Sequence, residues 1–121
     1  MSLGESRENY LKSILILKKT NGNIRSVDLS HFLGFSKASI SIAVKRLCAE
    51  GYVTKGKDGA LELTETGQAE AEAVYERHCF FEQKLKDLGV SQEQAHYDAC
   101  RLEHAISAES FAALRRTGVL K

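Results

Sequence analysis

Residues 26–63 read SVDLSHFLGFSKASISIAVKRLCAEGYVTKGKDGALEL, and this stretch decides the fold of the first half of the chain. Apolar residues at helical spacing predict one helix over residues 26–33, with Ser26 as its N-cap, and a second over residues 36–50, with Ser36 as its N-cap. Gly34 lies in the tight turn between them, and Gly51 ends the second helix. Two helices joined by a short turn that contains glycine form a helix-turn-helix.

A β-hairpin follows this motif directly. Residues 52–55 and 60–63 are predicted strands, and the Asp58-Gly59 pair supplies the turn between them. A further helix over residues 5–19 precedes the motif. A hairpin immediately after the second helix of a helix-turn-helix is typical of a winged-helix domain, which we assign to residues 1–64.

The second predicted helix and the hairpin carry a set of exposed hydroxyl and lysine side chains. Such groups reach base edges in the major groove, and lysines on a wing commonly contact the phosphate backbone of DNA. A helix-turn-helix also occurs in modules that bind no nucleic acid, where the same side chains only solvate the surface. The candidate DNA-binding residues are Ser36, Lys37, Ser39, Ser41, Lys45, Lys55 and Lys57.

The second half of the chain is predicted to be entirely helical. Helices are expected over residues 64–88, with Thr64 as N-cap, over residues 91–106, and from Ser107 to Gly118. So few helices make little core of their own, and their apolar faces therefore predict pairing with a second copy of the chain. The predicted fold class is mainly α: a winged helix-turn-helix domain, followed over residues 65–121 by an all-helical metal-binding and dimerisation domain.

The second half also contains a cluster of metal-donor side chains. Residues three or four apart share one face of a helix, and imidazole, thiolate and carboxylate donors together suit Fe(II), Ni(II), Co(II) or Zn(II) better than Mg or Ca. Each member has an ordinary structural role as the alternative, such as a solvated His–Glu pair or a buried cysteine. The candidates are His96, Cys100, Glu103 and His104 on one predicted helix, and His78 with Glu82 on the helix before it.

Charge and composition limit the functional classes. Residues 1–60 contain ten Lys and Arg residues and five Asp and Glu residues, so the first half is basic and is expected to bind an anionic partner. Residues 61–121 contain seven Lys and Arg residues and eleven Asp and Glu residues, so the second half is acidic and is expected to bind a cation. No apolar run is long enough to span a membrane. Three cysteines without a C-x-x-C motif favour a reducing cytoplasm, and Cys48 and Cys79 are interpreted as packing residues.

The chain resembles the metal-dependent repressors of the diphtheria toxin repressor and manganese transport regulator family over residues 8–107. The most specific segment is DACRLEHAIS at residues 98–107, which is similar to a Cys-Arg-x-Glu-His segment of that family. Arg77-His78 with Glu82 matches another family signature, and residues 36–41 occupy the position of the recognition helix.

The resemblance implies two metal sites in each subunit. Cys100, Glu103 and His104 match one site, whose fourth protein ligand comes from the first helix, where Asn9 stands. The other site matches His78, Glu82 and His96. The expected cofactor is Fe(II) or Mn(II), and Co(II), Ni(II) or Zn(II) are expected to bind in vitro.

The chain departs from the family pattern at two positions on its first helix and in its expected domain layout. Asn9 stands where the family usually has Met or Asp, and Lys12 stands where manganese-type members have Glu, so the Cys100 site is expected to bind metal weakly or with altered preference. Cys100 itself is the iron-type residue at a position where manganese-type members have Glu. The chain ends at Lys121 and is expected to lack the C-terminal SH3-like barrel of the iron-type members, and with it that domain's ligands.

The resemblance implies a cytoplasmic repressor that binds double-stranded operator DNA as a homodimer when it carries metal, and so controls metal-uptake genes. The main alternative is a metal-independent winged-helix DNA-binding protein, either constitutive or responsive to thiol oxidation, with a vestigial metal site. The sequence shows no second acid/base pair and no substrate-pocket motif, so neither an enzyme nor a small-molecule substrate is expected. No membrane partner is expected either.

Overall fold

The computed structural model describes residues 3–117, with side chains from residue 7 to residue 116. The predicted fold class is confirmed, because this part of the chain is mainly helical and has one small sheet. It divides into two compact units within the fourth helix, between Glu72 and Ala73. Within residues 3–117, no helix is both long and apolar enough to cross a membrane. In chain order the elements are α1 (Leu3–Asn21), β1 (Ile24–Arg25), α2 (Ser26–Leu33), α3 (Lys37–Ala49), β2 (Val53–Lys55), β3 (Ala60–Leu63), α4 (Glu65–Asp87), α5 (Gln92–Ala105) and α6 (Ala108–Thr117).

The core of the first unit forms where α1, α2, α3 and the sheet pack together. Contacts join α1 to α2 and β3, and α2 to α3. Each helix presents apolar residues three or four positions apart, which places them on a single face. The buried side chains are Leu11, Ile14 and Leu15 on α1, Leu29 on α2, Ile40, Val44 and Leu47 on α3, and Ile24, Val53 and Leu61 on the strands.

The ends of the helices in this unit follow the sequence signals, with one exception. Ser36 is the N-cap of α3, and its Oγ accepts a hydrogen bond from the backbone N–H of Ser39 at 3.1 Å. Gly51 follows α3 with φ +85°, as predicted for a residue that ends a helix. The predicted cap at Ser26 is wrong, because α2 begins at Ser26 and its N-cap is the extended Arg25, whose N–H donates to Asp28 Oδ2 at 2.8 Å.

The wing is part of a three-stranded antiparallel sheet with the order β1-β3-β2. The predicted hairpin is present, and the N–H of Gly56 donates to the carbonyl of Ala60 at 2.9 Å to close its turn. The third strand, β1, was not predicted. It pairs Ile24 with Leu61, and both side chains are fully buried. A strand of two residues is too short to show the alternation that identifies strands in sequence.

The second unit comprises the rest of α4 with α5 and α6. The last two helices begin at the predicted serines, which cap them: Ser91 Oγ accepts from the N–H of Gln94 at 3.2 Å, and Ser107 Oγ accepts from the N–H of Ser110 at 3.0 Å. The predicted end of the last helix at Gly118 lies outside the described residues. A small core holds the three helices together, with Phe81, Ala99 and Phe111 buried and Phe80, Ile106 and Leu114 packed against them.

Candidate metal centre and DNA-binding surface

Six of the seven predicted metal donors come together in the second unit. On α4, His78 and Glu82 lie one turn apart on one face. On α5, Cys100 lies one turn after His96, and Glu103 and His104 lie one turn after Cys100. Hydrogen bonds and close contacts between the two helices connect these faces.

His78 lies at the centre of the cluster. Its Nδ1 is 2.7 Å from Glu103 Oε1, and its Nε2 is 2.7 Å from Glu82 Oε1. His78 is buried, and Glu103 is fully buried at 0% exposure. A carboxylate removed from water in this way is costly unless polar partners surround it. His104 supplies another partner, with its Nε2 3.1 Å from Glu103 Oε2.

The more exposed side of the cluster carries a thiol and a second imidazole. Cys100 Sγ lies 3.8 Å from His78 Nδ1 and 3.7 Å from His96 Nε2. Potential ligand atoms of His78, His96 and Cys100 all lie within 4.8 Å of one another. Two imidazoles and a thiol, with carboxylates beside them, form a donor set that fits a borderline divalent transition metal.

The Glu82 carboxylate belongs to the same network. Burial raises the pKa of Glu82, but hydrogen bonds with Gln92, His96 and His78 outweigh this effect and lower the pKa below its ordinary value. Glu82 Oε1 is 3.2 Å from His96 Nδ1, and Glu82 Oε2 accepts from Gln92 Nε2 at 2.7 Å. The carboxylate is therefore held in its ionised form, which is the form that ligates metal.

Sequence reasoning missed two residues that support these donors. Arg77 Nε donates to the backbone carbonyl of Glu103 at 2.8 Å, and Gln92 holds Glu82 as described above. Arg77 is part of a family signature, but its position next to His78 gave no reason to place it near α5, because adjacent helical residues do not share a face. For Gln92 the sequence carried no signal.

The seventh predicted donor, Asn9, lies on α1 in the first unit. It is half-buried, and its backbone carbonyl accepts a hydrogen bond from Ser13 Oγ at 2.8 Å. Lys12, the other departure from the family pattern, is buried. The membership of Asn9 in a ligand set stays a prediction.

The other cysteines differ from each other in environment. All three cysteines of the chain are free thiols. Cys48 is half-buried on α3, in keeping with a packing role, whereas Cys79 is exposed, so its interpretation as a packing residue is wrong. Cys79 directly follows His78 on α4 and therefore points away from the buried side of the helix.

The predicted DNA-binding side chains form an exposed surface on the first unit. Ser36 and Ser39 lie at the start of α3 with their hydroxyl oxygens 3.0 Å apart, so that one Ser–Ser hydrogen bond fixes this end of the helix. Lys55 and Lys57 lie on the wing. All seven predicted residues are exposed: Ser36, Lys37, Ser39, Ser41, Lys45, Lys55 and Lys57.

Both halves of the chain match known domain families. Residues 2–61 match the family described as iron dependent repressor, N-terminal DNA binding domain. Residues 64–117 match the family described as iron dependent repressor, metal binding and dimerisation domain. The chain therefore belongs to the iron-dependent repressor family, whose members are transcriptional regulators and not enzymes.

Several relatives are similar to this chain over most of its length. The iron-dependent repressor IdeR of Mycobacterium tuberculosis is 33% identical over 108 residues, which is 88% of this chain and 47% of IdeR. The transcriptional regulator MntR of Escherichia coli O157:H7 is 34% identical over 108 residues, 89% of this chain and 70% of MntR. The uncharacterized HTH-type regulator MJ0568 of Methanocaldococcus jannaschii is 31% identical over 115 residues, 93% of this chain and 92% of MJ0568.

Solved structures agree with this assignment. The manganese regulator SloR superposes with a TM-score of 0.81 at 28% identity, covering 95% of this chain and 54% of SloR. IdeR of T. acidophilum superposes with a TM-score of 0.77 at 27% identity, covering 93% of this chain and 54% of that IdeR chain. The chain thus spans about half the length of IdeR and of these structures. The resemblance predicted from sequence is confirmed, and none of these relatives favours the metal-independent alternative.

Proposed function

We propose that this chain is a metal-dependent transcriptional repressor that binds double-stranded operator DNA as a homodimer in the cytoplasm. The observation that carries the proposal is the cluster around His78, in which imidazole, thiol and carboxylate donors converge in the second unit of a chain whose first unit is a winged helix. Fe(II) or Mn(II) is the proposed cofactor, because IdeR is named as an iron-dependent repressor and SloR as a manganese regulator. Genes for metal uptake are the proposed targets.

The proposed ligands fall into two sets. One consists of His78, Glu82 and His96, and the other of Cys100, Glu103 and His104, with Asn9 as its fourth and weakest donor. A bound cation supplies positive charge to a cluster that holds two carboxylates. Because thiolate is a soft donor, Cys100 favours Fe(II), Co(II) or Zn(II) over Mn(II). We assign these ligands, apart from Asn9 on α1, to a metal-binding and dimerisation domain over residues 65–121, and DNA binding to residues 1–64.

The proposed dimer contact lies on the second unit. Leu85, Leu102 and Ala105 line an open apolar depression between α4 and α5, with Asp98 and Arg101 beside it. Leu102 is 38% exposed and Tyr97, on the same helix, is 57% exposed. Leu102→Glu is expected to give monomers in analytical ultracentrifugation, whereas Ala108→Glu, at an exposed position on α6, should leave the dimer intact. A dimeric Leu102→Glu variant would place the contact elsewhere.

The test of metal dependence is an anaerobic titration of chelator-stripped protein with Fe(II), Mn(II), Co(II), Ni(II) and Zn(II). Metal stoichiometry and affinity for DNA are followed in the same samples. A coupling of about 1–3 kcal/mol corresponds to a gain in DNA affinity of about 5- to 150-fold on metal addition. Glu103→Gln should remove this gain, and Glu109→Gln, at an exposed position on α6, should keep it. DNA binding that is unchanged by every metal would overturn the proposal.

A further inference from the structure

Ile42 is an unusual residue on the outer face of α3. At 69% exposure it is the most exposed large apolar side chain among the described residues. It lies two residues after Ile40 and two residues before Val44, which are both buried. Because two helical residues span about 200° of the helix, Ile42 lies opposite the buried face of α3.

The neighbours of Ile42 on this face are small or cationic. Ala38 lies one turn before it, and Lys45 and Arg46 lie one turn after it, all exposed. Ser39 and Ser41 border the face on its two sides. The result is an apolar centre with hydroxyl groups and positive charges around it. A partner that fits this surface presents an apolar group between negatively charged edges.

The major groove of DNA offers this combination, since phosphates line the groove and the 5-methyl group of thymine projects into it. We propose that Ile42 contacts a thymine methyl group in the major groove and thereby sets the base preference of α3. The inference rests on the proposed function, because it requires that α3 enters DNA. An isoleucine side chain neither donates nor accepts hydrogen bonds, so it would desolvate the polar edge of a G·C pair without replacing its hydrogen bonds.

A competing use of Ile42 is contact with another protein. Ile42, Ala43 and Leu47 line a depression beside Tyr10 of α1. The surrounding lysines and serines favour DNA as the occupant over an apolar peptide. If a protein is the partner instead, removal of the Ile42 side chain changes protein association and leaves the response to thymine methyl groups unaltered.

The experiment removes the thymine 5-methyl group and the Ile42 side chain, first separately and then together. A preferred duplex is first selected from random DNA with the Mn(II)- or Fe(II)-loaded protein, and each thymine is then replaced by deoxyuridine, which lacks only the 5-methyl group. Loss of one buried methyl group should weaken binding about fourfold at a particular thymine of each half-site. In Ile42→Ala this loss should disappear, whereas Val27→Ala, at an exposed apolar position on α2, should retain it.

A second selection reads out the preference directly. Ile42→Gln should change the preferred base at the same position from thymine to adenine, because glutamine pairs with the N6 and N7 atoms of adenine. If Ile42→Ala shows the same deoxyuridine losses as the unaltered protein, this inference falls and the proposed function stands. If the metal-loaded protein selects no duplex at all, both fall.

Discussion

His78 Nδ1 lies 2.7 Å from Glu103 Oε1 in the second unit, although the family resemblance assigns the two residues to different metal sites. Both side chains are buried, and the other ring nitrogen of His78 contacts Glu82. A metal bound at His78 Nδ1 would replace the contact with Glu103, whereas a metal bound at Nε2 would leave the other ring nitrogen to donate to this carboxylate, as ligating histidines commonly do. It follows that the two ligand sets are energetically linked.

This linkage predicts non-additive losses of metal affinity. Glu103→Gln and His78→Ala should each weaken Co(II) binding, and the double variant should lose less than the two losses combined. Residues in one hydrogen-bonded network typically show an interaction energy of about 0.5–3 kcal/mol. Isothermal titration of the four proteins measures this energy. The control pair is His78→Ala with Glu109→Gln, for which the losses of Co(II) affinity should add. If the losses also added for His78→Ala with Glu103→Gln, the two metal sites would be independent.

Arg77 is expected to act on metal affinity without being a ligand. Its Nε–H donates to the carbonyl of Glu103 at 2.8 Å and so fixes the backbone that carries this donor. Loss of such supporting hydrogen bonds typically lowers metal affinity about 10- to 100-fold. Arg77→Met should show a loss of this size in a competition assay with a chelating dye. Arg116→Met on α6 is the matched control, since Arg116 is exposed. Equal affinities for the two variants would refute a supporting role for Arg77.

Much of the fold could be predicted from the sequence because its helix ends carry local signals. Ser36, Ser91 and Ser107 each accept a hydrogen bond from the N–H three residues later, and the sequence identifies all three. The apolar spacing of α3 likewise predicts that Ile40, Val44 and Leu47 are buried. These features depend only on residues within a few positions of one another.

Features that depend on distant residues could not be predicted. The β1 strand exists because Ile24 pairs with Leu61, and the Arg25 cap of α2 follows from the extended backbone of that strand. The contact between His78 and Glu103 joins residues 25 positions apart, and it requires knowledge of how α4 packs on α5. Helical spacing identified the donors on each helix but not the hydrogen bond that connects the two sets.

Lys37 is expected to contact a DNA phosphate. It is exposed in the first turn of α3, next to the Ser36 cap. Lys37→Ala should weaken binding to all sequences alike and reduce the slope of log affinity against log salt by about 1, because one fewer counterion is released. Fluorescence anisotropy at several salt concentrations measures the slope. Lys86→Ala, at an exposed position on α4, should leave it unchanged. A normal slope for Lys37→Ala would remove Lys37 from the contact surface.

Gly67 is expected to be essential for the stability of the first unit. A Cβ atom at this position would lie 2.0 Å from the backbone carbonyl oxygen of Tyr52, which already accepts a hydrogen bond from the N–H of Thr64 at 3.0 Å. The Thr64 side chain fixes the same junction, since its Oγ1 accepts from the N–H of Gly67 and donates to the carbonyl of Gly51. The close approach is thus between two backbones, and a substituent at residue 67 cannot be accommodated by a side-chain rotation.

Gly67→Ala should therefore lower the free energy of unfolding, although alanine is the better helix former by about 1 kcal/mol. Forcing a methyl group into a packed contact typically costs about 1–3 kcal/mol and often shifts the backbone. Urea unfolding followed by circular dichroism measures the change. Ala69→Gly, at an exposed position of the same helix, provides the reference for helix propensity and should cost about 1 kcal/mol. Gly67→Ala could instead stabilise the protein by the same free energy that Ala69→Gly costs. Helix propensity alone would then determine the stability at position 67, and the contact with Tyr52 would make no contribution.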